Sequence, residues 1–384
     1  MTPTAKKILS VFDERRASDT VKELLARAGV IIGGDAPWDI RVHDERLYTR
    51  MLRDGTLGVG ESYMEGWWDC DAIDEMLTRV IRARVDLVIR ESWVLLAQAV
   101  RARIFNLQAA RAFEVGERHY DVGNDLYRAM LGPRMIYTCG YFNGTNDLDA
   151  AQDAKLDLVC RKIGAAPGMR VLDLGCGWGG FAAFAAERYG AHVTGYTVSR
   201  EQVAWAKEHH AHLPIDIRLD DYRNATGHYD ACVSIGLMEH VGPKNHRAYM
   251  EHAAGLVVPG GPIFIHTIGA NRPQMQIDPW FGKYIFPNAA IPTLGQLTTA
   301  MDDLLTCEDV HNIGPHYDKT LMAWMQRFEA AWPSFREHYG DTFYRMWKFY
   351  LLASAAGFRT RDLNLFQIVA TVWGNAQPPA ARSI

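Results

Sequence analysis

Five short apolar segments follow one another between Arg170 and Gly269: "RVLDLGCGWGG", "AHVTGYTVSREQVAWAKEH", "PIDIRLDDY", "YDACVSIG" and "PIFIHTIG". Most of them lead into a helix-like pattern. A strand that is apolar along its length is covered on both faces, and strands that alternate with helices build a parallel sheet from βαβ units. The middle of the chain is therefore expected to be a doubly wound α/β sheet, with ligands outside the carboxyl ends of its strands. At 384 residues the chain exceeds one comfortable core, so a second domain is expected.

The flanking sequence has a different texture. Before the sheet come a helix-like "TVKELLARAGV", a turn at "GGDAPW", a strand-like "DIRVHD" and "DGTLGVGESYMEGWWDC". Gly55, Gly58 and Gly60 in the last of these argue against a long helix there. After the sheet come a long aromatic helical run from Thr320 to Phe358 and a final strand, "LFQIVATVWG". The expected division is a smaller amino-terminal α+β domain over 1–105, a linker over 106–120 and a catalytic domain over 121–384.

Charge and cysteine content narrow the setting. Seven arginines between Arg79 and Arg111 (79, 82, 84, 90, 101, 103 and 111) face only Asp86 and Glu91, in a chain whose net charge is −4. Interleaved with Ile81, Val85, Trp93 and Leu95, they form either a solvated face beside a core stripe or a surface drawn to anionic lipid. The acidic remainder disfavours nucleic acid as a partner. The six cysteines have no paired spacing, which suggests neither disulfides nor a zinc site. His209, His210 and His212 cluster at a helix end without a metal-binding pattern. No apolar run approaches the roughly 18 residues needed to span a bilayer, and the start lacks a signal-peptide core, so a cytoplasmic protein is expected.

The junction "DLGCGWGG" places Gly175, Gly177 and Gly179 between a strand and a helix, where backbone can approach a ligand. A dinucleotide site would carry an acid at the end of the next strand. That place holds "GYTVSRE", with hydroxyls at Thr197 and Ser199, so NAD is disfavoured. With Asp173 two residues before it, the loop resembles the methionine-binding loop of S-adenosylmethionine methyltransferases.

Taken in order, "GESYMEGWWDC", "ERHYDVGNDLY", "VLDLGCGWGG", "EHVGPKN", "HTIG", "DPWFGKYIFPN" and "TLMAW" resemble the cyclopropane-fatty-acyl-phospholipid synthases, and the likeness covers nearly the whole chain. The resemblance implies a class I methyltransferase, Rossmann-like catalytic domain. It implies methylene transfer from S-adenosylmethionine to a cis double bond of a phospholipid acyl chain, with bicarbonate held as the base. By the same resemblance Glu239, His266 and Tyr317 hold the bicarbonate through side chains, and Cys139 and Ile268 through backbone. Tyr137 and Thr138 lie near the carboxylate end of the cofactor, Asp173 and the glycines at its methionine part, Thr197, Ser199 and Gln202 around the ribose, and Asp221 with Tyr222 at the adenine.

It further implies a peripheral enzyme on the inner face of the membrane, acting on the bilayer as a homodimer. Ser354 stands where some relatives carry a cysteine given a catalytic role, so it is left outside the site. Trp280, Tyr284 and Phe286 are candidates either for an acyl pocket or for plain aromatic core. The rivals are a relative that diverts the same cation to a methyl-branched or methylene lipid, a methyltransferase for a soluble amine, and an idle lipid-binding scaffold.

Overall fold

The computed structural model describes residues 14–85, 123–273 and 277–375. They form two compact units. In the first, a two-residue strand β1 (Arg41–Val42) pairs antiparallel with β2 (Trp68–Asp69) beside helices Glu14–Arg27, Arg46–Met64 and Ile73–Arg82. This unit also takes in Ile277–Pro287 and Glu329–Asp362, segments that the expected division assigns to the catalytic domain. The reason is packing. Trp68 and Tyr63 bury their rings against each other and against Phe349 of the long helix Arg336–Arg359. Arg345 from that helix donates to the Trp68 carbonyl at 2.7 Å, and Arg359 pairs with Asp74 at 2.7 Å. The expected linker, 106–120, lies outside the described residues.

The glycines expected to prevent a helix sit inside one. Helix Arg46–Met64 is broken only at Gly55, whose φ of 59° no ordinary side chain favours. Gly60 is there for contact, since a Cβ on it would stand 2.3 Å from Trp280 Cδ1. Trp280 is itself buried against Phe349, and the Tyr284 hydroxyl donates to Glu61 at 2.9 Å. Trp280 is buried in this first unit, whereas Tyr284 and Phe286, the latter packed on Tyr350, are half-buried there.

The second unit is built on a seven-stranded sheet: β3 (Arg170–Leu174), β4 (His192–Thr197), β5 (Ile215–Leu219), β6 (Ala231–Ile235), β7 (Ile263–Ala270), β8 (Leu305–Asn312) and β9 (Leu363–Val372). Their spatial order is β5-β4-β3-β6-β7-β9-β8. The first five run parallel, as the apolar segments require, whereas β9 is antiparallel to both β7 and β8. Core side chains lie on both faces of the sheet. Leu172, Leu174, Cys232, Ile263 and Ile265 pack on one, and Val171, Val193, Ala231, Val233 and Phe264 on the other.

One buried group gives this unit a measurable pH response. His246 opens helix His246–Leu256, is 2% exposed, and neither ring nitrogen has a partner. Burial pulls its imidazole from the ordinary value of 6.5 down to about 4. The unfolded chain takes up that proton first, so stability present above about pH 6.5 is lost as pH falls toward 4. His246→Gln is expected to lose about 2–3 kcal/mol less than the native protein between pH 7 and 4.5, at 1.36 kcal/mol per unit. Urea titrations at the two pH values measure it, and parallel losses would assign the acid sensitivity elsewhere.

Candidate active site

At the carboxyl end of β3 the chain turns through Gly175, Gly177 and Gly179, with φ of 83°, 56° and 81°. The turn folds back on β4, where the amides of Gly175 and Cys176 both donate to the Tyr196 carbonyl. It ends at helix Gly180–Tyr189, so free amides and the positive end of a helix dipole face the sheet edge. Asp173 is buried in β3 with Oδ2 unpartnered, and burial pushes its carboxyl up to about 7, opposed by Lys155. At the end of β4, Thr197 donates to Gln202 Oε1 at 2.6 Å and Ser199 caps the next helix. That leaves the buried Gln202 Nε2 as a donor without an acceptor. Past β5, Asp221 caps a short turn. Burial would raise its carboxyl, but the forked bond to Arg223 holds it below the ordinary value. The Tyr222 ring lies 5.7 Å from that of Tyr249.

These groups suit S-adenosylmethionine. Orphaned acceptor and donor atoms on Asp173 and Gln202 match an amino-acid ammonium and a ribose hydroxyl, and a buried polar atom without a partner costs about 1–3 kcal/mol until one arrives.

Three residues of the second predicted set, Glu239, His266 and Ile268, lie on β7 and the turn after β6. Gly236 ends β6, its amide donates to the His266 carbonyl at 2.8 Å, and Glu239 follows in the helical turn Met238–Val241. Glu239 is 8% exposed. Its Oε1 accepts from the Ile268 amide at 2.6 Å, whereas its Oε2 has no partner. The Ile268 N–H, expected to face the anion, is thus taken by the glutamate, and its part is to aim Glu239. His266 is 1% exposed and lies mid-strand rather than at a strand end, because β9 prolongs the pairing of β7 to Ala270. Its Nε2 is also unpartnered. Burial raises the Glu239 carboxyl and drives the His266 imidazole well below its usual range, with Lys155 and Lys162 adding to the second effect.

Tyr317 stands one turn before Thr320 in helix Pro315–Ala331, its ring edge-on to Trp324. Thr320 ties this helix to the 138–140 segment, accepting from the Gly140 amide at 3.0 Å and touching Cys139 Sγ at 3.7 Å. Burial pushes the Cys139 thiol up to about 12, so it is no thiolate nucleophile. Tyr137 packs between Tyr127 and Trp324, and Thr138 Cγ2 lies against Gly236.

Three residues that hold this segment escaped the sequence reading. Gln152 donates to the Thr138 carbonyl at 2.8 Å, and Lys155, 0% exposed, donates to its hydroxyl at 2.9 Å. Thr320 completes the set. The available signal was spacing, since Gln152, Lys155, Leu156, Val159 and Lys162 fall on one face of helix Leu148–Lys162, and all five are buried.

Residues 107–368 match the mycolic acid cyclopropane synthetase family. The chain is 45% identical to the cyclopropane-fatty-acyl-phospholipid synthase of Escherichia coli strain K12, over 90% of this chain and 91% of that one. The chain belongs to this family. It is 33% identical to the tuberculostearic acid methyltransferase UfaA1 of Mycobacterium tuberculosis, over 84% of this chain and 80% of the other. A solved mycolic acid cyclopropane synthase, CmaA1, complexed with SAH and CTAB, superposes with a TM-score of 0.63 at 28% identity, covering 67% of this chain and 97% of that one. The enzyme is thus an S-adenosylmethionine-dependent methyltransferase of the cyclopropane fatty acid synthase type, and its α/β catalytic unit has the class I methyltransferase fold. Among the described residues no helix is long and apolar enough to cross a membrane.

Proposed function

We propose that the enzyme transfers a methylene from S-adenosylmethionine to the cis double bond of an unsaturated phospholipid acyl chain, forming a cyclopropane, with bicarbonate in the Glu239 pocket as the base. The observation that carries this is the pair of orphaned atoms, Glu239 Oε2 and His266 Nε2, buried at the sheet edge next to the glycine loop. An acceptor and a potential donor together suit a small protonated oxyanion. When bound, the cofactor would supply the one-carbon unit and bicarbonate the basic oxygen that takes its proton.

The chain's own residues supply position and dryness. An alkene is a weak nucleophile, so holding it in line and excluding water are the leading effects. Glu239, aimed by the Ile268 amide, would accept from the hydroxyl of the anion, while His266 and Tyr317 would donate to it and the Cys139 backbone close the pocket. A carboxylate next to a developing carbocation risks alkylation. Glu239 avoids this by orienting an exchangeable base rather than acting as one. Fatty methyl esters from cells producing the enzyme test the reading: product heavier by one CH2, with ring-proton signals upfield of the methylene envelope, is expected. A methyl branch or an exocyclic methylene in its place would refute ring closure.

Access from a bilayer is part of the same proposal. About nine methylenes at roughly 0.8 kcal/mol each would cost on the order of 7 kcal/mol to pass through water, so an apolar route from the membrane is required. The arginine-rich segment is the proposed contact with anionic lipid. Of its described members, Arg82 is exposed, Arg79 pairs with Glu75 at 2.9 Å and stacks 3.8 Å above Trp38, and Arg84 reaches Asp362 at 3.5 Å. Arg90, Arg101, Arg103 and Arg111 lie outside the described residues. Replacing Arg79, Arg82, Arg84 and Arg90 by Gln is expected to weaken cosedimentation with anionic vesicles, by up to about 1 kcal/mol per free charge. Arg82→Gln should account for more of the loss than Arg79→Gln. Binding unchanged across a salt series would leave these arginines a solvated face.

A further inference from the structure

Gln367 is a costly residue where it stands. It is 0% exposed in the middle of a buried strand, flanked by Leu365, Phe366, Ile368 and Val369, and a buried amide without partners is unfavourable. Its register explains the choice. His266 on β7 and His311 on β8 are both directly opposite Gln367 on β9, so the three side chains share one face in a row across three strands. Gln367 Nε2 lies 3.4 Å from His266 Nδ1.

We propose that Gln367 is a positioning residue that fixes the tautomer of His266, holding Nδ1 as an acceptor so that Nε2–H is the donor turned into the oxyanion pocket. The inference rests on the bicarbonate reading above and deepens it. Neutral imidazole has one donor and one acceptor, and the group bound to one nitrogen decides what the other can do. Were the amide reversed, Gln367 Oε1 would take Nδ1–H, and His266 Nε2 would carry a lone pair, as the unpartnered Glu239 Oε2 does. Two acceptors would then face an anion. The second proton is disfavoured as well, because burial and the positive charges of Lys155 and Lys162 oppose an imidazolium. His266 is thereby a hydrogen-bond donor and not the base.

The test is 15N NMR of the full-length protein labelled in histidine, with the His266 signals assigned by their disappearance in His266→Gln. The wild type should show a neutral ring with Nε2 protonated and Nδ1 bare. A ring protonated on Nδ1, or an imidazolium, overturns the proposal without any variant at Gln367. In Gln367→Met, which keeps the volume and deletes the donor, the Nε2–H signature should be lost in part. The half-saturating bicarbonate concentration should rise about tenfold, the effect typical of removing a partner that orients an imidazole, with S-adenosylmethionine affinity unchanged. An unaltered tautomer in that variant overturns the proposal. Activity independent of bicarbonate, with the tautomer as expected and lost in Gln367→Met, would overturn the base reading and uphold this one.

Discussion

Glu239→Gln is expected to lower turnover by about two orders of magnitude, the size typical of losing a positioned acid–base partner, and to leave S-adenosylmethionine binding unchanged. The separation follows from where the side chain is anchored. Glu239 is tied to the Ile268 amide on β7, whereas most of the predicted cofactor residues are on the loop after β3, the end of β4 and the turn after β5, with Tyr137 and Thr138 in the segment before Cys139. An amide oxygen can keep the bond from Ile268. The lost property is the acceptor at Oε2, which becomes an NH2 group unable to hold the hydroxyl of a bicarbonate ion.

Stability should move the other way. Burial raises the Glu239 carboxyl above its ordinary 4.5 despite the Ile268 bond. The unfolded chain releases that proton before the folded one does, so stability falls as pH rises from about 4.5 through the folded value. The neutral amide removes this penalty, and Glu239→Gln should melt no earlier than the wild type at pH 7. A variant that is inactive and also loses the cofactor, or that melts early, would show Glu239 to be a cofactor ligand or a structural residue instead.

What could be read from the sequence follows the range of the interactions. The glycine loop and the ends of the parallel strands are local, and local pattern places them at one sheet edge. The place of β9 is not local, for it fills the edge of β7 that remains open after β6 has paired on the other side. Gly60 is a similar instance. Propensity marks it as a breaker, yet the need for Trp280 to reach the helix backbone decides. The same long-range packing of Trp68 and Trp280 on Phe349 moved Glu329–Asp362 into the amino-terminal unit. Gln367 and Lys155 were missed because a polar letter in a strand or helix acquires meaning only when its cross-strand or cross-helix neighbour is known.

Removing carbon dioxide from the buffer is expected to slow the wild-type enzyme by at least about tenfold, within the range for loss of a general base, and added bicarbonate should restore the rate along a saturable curve. On the proposed reading a planar trigonal oxyanion would be recognised by hydrogen bonds from His266 and Tyr317 and to Glu239, so anions of similar size and shape should compete. Tyr317 is buried with its ring held against Trp324, which means that Tyr317→Phe keeps the packing and removes only the hydroxyl. One lost hydrogen bond of about 1.4 kcal/mol corresponds to roughly a tenfold rise in the half-saturating bicarbonate concentration, with the maximal rate at saturation little changed. Were the phenol needed for folding instead, the thermal midpoint would fall and bicarbonate would not rescue the variant. Full activity of the wild type in carbonate-free buffer, after dialysis to remove any retained ion, would make Glu239 the base. His266, which burial and two buried lysines keep from accepting a proton, is the poorer candidate for that role.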